Sequence, residues 1–247
     1  MEPATAVYGI HAVEELLEAH LEMIDHIYFD TTKRSSQLFT LMKICRKERL
    51  AYNLVPPQKL VQLAGTDKHQ GVVALRSIQP YCTLEDLKIR IAGKTSPLFV
   101  LAPSVEDPQN LGALIRSCVA FGVDALFLER KNTAPLSPAV AKASAGMVEH
   151  CTIVRPKNLE GIIREYGASG FTIVGTSATV GIAPSKINFT SPVIIVLGGE
   201  HRGIPPYLEK LCTCFAAISI NQQVQSLNVA AAGAIILYEC SRQRGRQ

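Results

Sequence analysis

The sequence predicts an α/β protein in which a parallel sheet, covered by helices, follows a smaller αβ domain. Two observations carry that reading. The second part of the 247-residue chain alternates apolar bursts with helical patterns, the bursts falling at 97–102, 124–129, 171–176, 192–199 and 214–220. Short apolar runs bounded by Gly and Pro, with helices between, mark strands buried on both faces. The first part is shorter in period, and 79–95 has the texture of a linker with one short helix. The expected domains are therefore 1–78 and 96–247, with 79–95 between them.

Each element has a local cause. Val13, Leu16, Leu17 and Leu21 follow helical spacing and predict a helix over 8–22. IDHIYFD (24–30) predicts a strand. Leu38, Leu41, Met42 and Cys45 give a second amphipathic helix over 35–50, and 51–55 and 70–78 read as strands. In the second domain Asp107 and Pro108 are helix-start chemistry, since Asp accepts from free N–H groups and Pro suits the first turn. Near the end of the chain a strand runs into polar residues and then a helix of small ones, Ala230, Ala231, Ala232, Gly233 and Ala234. Ser226 is the expected cap of that helix.

Composition excludes several classes. Hydrophobic residues make up 47% and charged residues 19%, and Gly and Pro are ordinary, so collagen-like and disordered chains are ruled out. No apolar run approaches the ~20 residues of a membrane span. The first twenty residues carry no Lys or Arg, unlike a secretory signal, so a cytoplasmic protein is expected. The seven cysteines form no CxxC pair and are expected to be buried reduced thiols. The histidines do not cluster with Cys or Asp at ligand spacing, so no metal site is expected. The net charge of +4 fits a nucleic-acid partner only weakly. Local clusters say more: Lys33, Arg34, Lys43, Arg46, Lys47 and Arg49 lie together, and Arg242, Arg244 and Arg246 follow near the end. With aromatics at 6% and no Trp, a flat stacking platform for single strands is disfavoured. AGKT (92–95) lacks the earlier glycine of a phosphate-binding loop, since Lys88 stands there. No G-x-G-x-x-G follows a strand.

Three segments carry candidate chemistry. In 106–126, Asn110 and Arg116 sit roughly 120° apart around a helix, so both can edge a cleft near its start. By spacing alone Arg116 is equally read as a solvated or ion-paired side chain. In VIIVLGGEHRGIPP (193–206) a buried strand ends in Gly198 and Gly199, followed by Glu200. Ligands of open parallel sheets bind beyond the strands' carboxyl ends, where glycine permits close backbone approach. The same residues also suit a tight turn whose charges face water. In 216–239, Ser226 and Asn228 are either site residues or local turn formers.

Together these segments resemble the SpoU (TrmH) family of RNA ribose 2′-O-methyltransferases. The match is N-x-x-A-x-x-R-x-x-x-A-x-G-V at Asn110–Val123, L-G-x-E-x-x-G at Leu197–Gly203, and the Ile218…Ser226-Leu227-Asn228-Val229 segment. YGIHAVEELLEA is similar to the start of RlmB-like members, and 131–150 to the stretch between the family's first two motifs. The resemblance thus spans nearly all of the chain. It implies a C-terminal SPOUT-type α/β knot, in which the chain threads a loop against the usual rule. It also implies a small ribosomal-protein-like RNA-binding domain at the N-terminus, a homodimer, and S-adenosylmethionine as cofactor. By the same resemblance Thr176, Ser177, Gly198, Gly199, Ile218 and Leu227 hold the cofactor. Arg116 matches the catalytic arginine, and Asn110, Glu200, Ser226 and Asn228 the other polar motif positions. Gln109, Gly199 and Ser219 depart from the family's common residues there.

The implied activity is 2′-O-methylation of rRNA, with a guanosine of 23S rRNA as the leading substrate. tRNA, or an antibiotic-resistance site in rRNA, is the alternative within the class. A non-catalytic RNA-binding or ribosome-assembly protein is the alternative outside it. Retention of the five polar motif residues together separates enzyme from binder. A small-molecule enzyme is disfavoured by the missing phosphate-loop glycines and by the basic clusters.

Overall fold

A computed structural model describes residues 6–199, 203–221 and 223–245. The chain divides into two compact units, residues 1–81 with 135–138, and residues 82–134 with 139–247.

The first unit runs β1 (Ala6–Tyr8), α1 (Ile10–Ala19), β2 (Ile24–Asp30), α2 (Ser36–Lys47), β3 (Tyr52–Val55), α3 (Pro57–Ala64) and β4 (Val72–Arg76). Its sheet has the order β1-β4-β2-β3, with β2 and β3 parallel and the other pairs antiparallel. Parallel neighbours need a crossover, which α2 supplies. Val13, Leu16 and Leu17 of α1 and Leu38, Leu41 and Cys45 of α2 meet Ile27 and Phe29 in one core. The first helix is shorter than its periodicity suggests: it ends at Ala19, and Leu21–Met23 form a single 3-10 turn. α2 starts where Ser35 accepts from the Leu38 N–H at 3.2 Å.

The second unit contains α4 (Leu84–Arg90), β5 (Leu98–Ala102), α5 (Pro108–Ala120), β6 (Ala125–Leu128), most of α6 (Pro138–Ala143), β7 (Ile153–Val154) and α7 (Leu159–Ala168). It continues through β8 (Thr172–Ser177), β9 (Val193–Val196), α8 (Pro206–Glu209), β10 (Cys214–Ala217) and α9 (Val229–Gln243). Its sheet is wholly parallel, in the order β10-β8-β9-β5-β6-β7. Every residue of β5, β6 and β9 is buried, as their unbroken apolar sequences require. The one short helix expected within 79–95 is α4. α4 inserts Leu87 into the core of this unit, and the Cys82 N–H donates to the Ile153 carbonyl at 2.8 Å.

Two devices hold the helices on the sheet. Arg244, at the end of α9, donates to the carbonyls of Ser96, Phe189 and Ser191 at 2.6–2.9 Å. Gly112 on α5 lies so close to Ala143 and Ser144 that a Cβ there would stand 2.4 Å from the Ala143 Cβ and 2.9 Å from backbone atoms. All seven cysteines are free thiols. Burial pushes Cys45, Cys151, Cys212 and Cys240 up to about 12, which leaves almost no thiolate at neutral pH.

The Gly112 contact gives a direct test. Gly112→Ala is expected to destabilise the protein by on the order of 1–3 kcal/mol through overpacking, read as a lower urea midpoint at unchanged m-value.

Candidate active site

Sheet order places the site. From β5 the chain moves outward through β6 and β7, then returns to build β8, β9 and β10 on the other side. The order reverses between β5 and β9, and ligands of such sheets sit outside the carboxyl ends of the strands near that reversal. A cavity of about 530 Å³ opens there. β8 delivers Thr176 and Ser177 to it, the turn after β9 delivers Leu197, Gly198 and Gly199, and the segment after β10 delivers Ile218 and Ile220. Asn110 of α5 and Ser226, Leu227 and Asn228 at the entry to α9 complete the mouth.

Local chemistry shapes each wall. The Gly198 N–H donates to Thr176 Oγ1 at 3.0 Å, tying the ends of β8 and β9. The Gly199 N–H donates to the Gly203 carbonyl at 2.9 Å. Gly203 has φ +65, a backbone that favours glycine, and a Cβ on Gly199 would stand 2.8 Å from the Ser104 Cβ. Ser177 Oγ accepts from the N–H groups of Thr179 and Val180, so this hydroxyl shapes a turn.

Asn228 does two things. Its Oδ1 accepts from the Ala230 and Ala231 N–H groups at 2.9 and 3.3 Å, so it is the cap of α9. Its Nδ2 donates to Asn110 Oδ1 at 2.7 Å. The expected cap, Ser226, lies two residues too early; it is exposed at the cavity mouth. Asp107 caps α5 by accepting from the Gln109 N–H at 2.9 Å. Two helix N-termini thus meet at the mouth and make it favourable to negative charge.

The described lining holds no ionisable side chain; it is hydroxyls, amides, backbone and aliphatic groups. Nine of the sequence-derived site residues come together here: Asn110, Thr176, Ser177, Gly198, Gly199, Ile218, Ser226, Leu227 and Asn228. Arg116 does not line the cavity. It is exposed on α5 and has no hydrogen-bond or ion-pair partner among the described residues. Glu200 lies outside the described residues. Sequence reasoning did not pick out Ala178, Ile220, Ala232 and Ile236 as lining residues. Ala232 and Ile236 lie four apart on α9, a spacing that does point to one helical face.

An open parallel sheet with a glycine-walled cavity at its switch point, neutral over its described lining, is the arrangement of a small-ligand-binding α/β domain. Residues 97–238 match the SpoU rRNA Methylase family, and residues 6–81 match the family described as RNA 2′-O ribose methyltransferase substrate binding. The chain belongs to the SpoU rRNA methylase family. It is 32% identical to the 23S rRNA (guanosine-2′-O-)-methyltransferase RlmB of Nitrosomonas europaea, over 98% of this chain and 92% of that one. It is also 32% identical to the RlmB of Coxiella burnetii, over 99% and 98%. The crystal structure of AdoMet-bound rRNA methyltransferase from Sinorhizobium meliloti superposes with a TM-score of 0.60 at 26% identity, covering 96% of this chain and 86% of that one.

Asn228 can be tested by separating its two bonds. Asn228→Ala is expected to lower stability by about 0.5–2 kcal/mol through loss of the cap. Asn228→Ser keeps a capping hydroxyl and loses the bond to Asn110, so its urea midpoint is expected to fall less.

Proposed function

We propose that this chain is an RNA 2′-O-ribose methyltransferase that uses S-adenosylmethionine and modifies a guanosine of 23S rRNA. The observation that carries the proposal is the cavity itself. Residues from five distant segments, four of them lying in the three family motifs, line one pocket at the switch point of the sheet, and its described lining is neutral. Its size suits a nucleoside-sized ligand. Leu197, Ile218 and Leu227 offer aliphatic surface for a base, and Gly198 and Gly199 offer backbone at close range. The cofactor supplies an electrophilic methyl group when bound, so the chain's task is to position and polarise the ribose hydroxyl.

Asn110 and Asn228 hold each other at the mouth, and Ser226 sits beside them to steer the hydroxyl's approach. Arg116 is assigned to the substrate side. A guanidinium stays protonated, so its role is to hold the hydroxyl and adjoining phosphate and to stabilise developing negative charge. Glu200 is assigned to orienting Arg116. An exposed arginine outside its own cavity fits a site completed by a second copy of the chain. The surface beside Arg116 supports a homodimer: Ala113 and Ala120 of α5 and Ala231, Ile235 and Tyr238 of α9 are exposed, and Tyr238 packs edge-on against Phe121. The reading includes the threaded C-terminal passage, supported by α9 packing on α5 while Arg244 reaches back to residues 96, 189 and 191. It also includes residence in the cytoplasm. Among the described residues no helix is long and apolar enough to cross a membrane.

Nucleoside mass spectrometry tests the reaction. Unmodified 23S rRNA incubated with the protein and S-adenosylmethionine is expected to gain 2′-O-methylguanosine. Arg116→Ala is expected to cut turnover by about 10²–10³, the effect of losing one electrostatic donor. Arg116→Lys is expected to stay impaired, because lysine keeps the charge but loses the planar fork; full turnover would remove this role. Light scattering tests assembly, with a particle of about twice 26.8 kDa expected. Tyr238→Glu is expected to return it to a single chain of low activity.

A further inference from the structure

Charge is segregated within the N-terminal unit. Residues 31–47 hold Lys33, Arg34, Lys43, Arg46 and Lys47 and no Asp or Glu. Residues 10–22 hold Glu14, Glu15, Glu18 and Glu22 and no Lys or Arg. The first stretch is α2 with its entry, and the second is α1 with the turn after it. α2 buries Leu38, Leu41 and Cys45. At roughly 100° per residue, Phe39, Lys43, Arg46 and Lys47 fall within about 100° of one another on the opposite side. All four are exposed.

Phe39 is the anomaly. It keeps 55% of its surface in water, on a helix that hides its other bulky apolar side chains wholly or in part. Two turns further along the same side Arg46 is held in place: its Nε donates to the Tyr52 hydroxyl on β3 at 2.9 Å. Folding alone accounts for neither an acid-free face nor an exposed ring at its N-terminal end. A polyanion with unstacked flat groups accounts for both, since phosphates seek the cations and a base seeks the ring. Duplex RNA offers phosphates but keeps its base faces stacked. The glutamates of α1 repel the same ligand, which sets the side of approach.

We infer that the outer face of α2 grips an unpaired stretch of the substrate RNA, with Phe39 stacked on one base and Lys43, Arg46 and Lys47 on the flanking phosphates. The inference rests on the reading above for its partner being RNA, and adds the face, the form of the RNA and the residue that senses it. It needs one ring, not a platform, which agrees with the low aromatic content.

The test uses the full chain with two labelled probes, an RNA hairpin with a long unpaired loop and a blunt RNA duplex of equal length. The chain has no tryptophan, so Phe39→Trp gives it a single indole. The hairpin is expected to quench that emission and the duplex to leave it unchanged. Phe39→Ala is expected to weaken hairpin binding by about 5- to 100-fold, the range for one lost stack, with duplex binding and the melting temperature unchanged. Lys43→Ala with Lys47→Ala is expected to flatten the salt dependence for both probes, by about 0.7 in logarithmic slope per contact for the single strand. Glu15→Gln, which removes one repelling charge, is expected to strengthen the binding of both probes alike. Equal binding of the two probes by the unaltered protein, an unquenched indole, or equal loss of both probes in Phe39→Ala would overturn the inference. If Phe39→Ala does not fold, the indole quench decides. Hairpin binding that depends on Phe39, without methylation of any RNA, would overturn the proposed activity and leave this surface standing. Methylation with Phe39→Ala unimpaired would do the reverse.

Discussion

The close packing of α9 on α5 is the constraint on which the site depends. A Cβ on Gly233 would stand 3.0 Å from Leu114 Cδ1 and 3.2 Å from Leu197 Cδ1, so larger residues there would push α9 away from both α5 and the turn after β9. The alanines that begin α9 permit the same approach along its first turns. Only at this spacing do the starts of the two helices meet closely enough for the amide of Asn228 to reach Asn110. The cavity mouth is thus a consequence of backbone proximity, and its polar side chains are arranged by helices that small residues allow to touch.

The site divides its work between neutral and charged parts. Among the described residues the cavity lining carries no titratable side chain. Positive potential at the mouth comes from helix termini, which are fixed and cannot titrate. Among the described residues Arg116 stands outside the lining, on the exposed side of α5, and the basic face lies on α2. This arrangement suits chemistry in which the electrophile arrives already activated and the protein's task is orientation. Buried thiols, pushed well above their ordinary range, are kept from competing as nucleophiles.

Much of this was legible in the sequence, for identifiable reasons. β5, β6 and β9 are short, unbroken apolar runs, a pattern that few other structures produce. Asp107 and Pro108 mark the start of α5 by chemistry that works locally. The short helix expected within 79–95 could not be bounded from the sequence, because a seven-residue helix anchored by Leu87 leaves almost no periodic trace. The cap of α9 was misassigned because Ser and Asn both cap helices and stand two residues apart; tertiary contact with Asn110 favours the later one. The cavity itself was not legible from spacing, since Asn110 and Asn228 are 118 positions apart and nothing local to either requires them to meet. Local pattern made each of those positions a candidate, and only the family resemblance joined them in one site. The exposed ring of Phe39 was hidden for another reason: at its position a buried and a solvent-facing phenylalanine look alike until the helix is rotated into place.

The distance along the chain between the walls of the cavity has a thermodynamic consequence. Strand ends near 176, 198 and 217 and helix starts near 110 and 228 must all be in place before any pocket exists. An unfolded or partly folded chain therefore has no weak version of the site to offer. A ligand that binds only the completed form stabilises it by mass action, by about 2.7 kcal/mol at a hundredfold excess over its dissociation constant. Supply of the ligand then becomes part of the protein's own persistence.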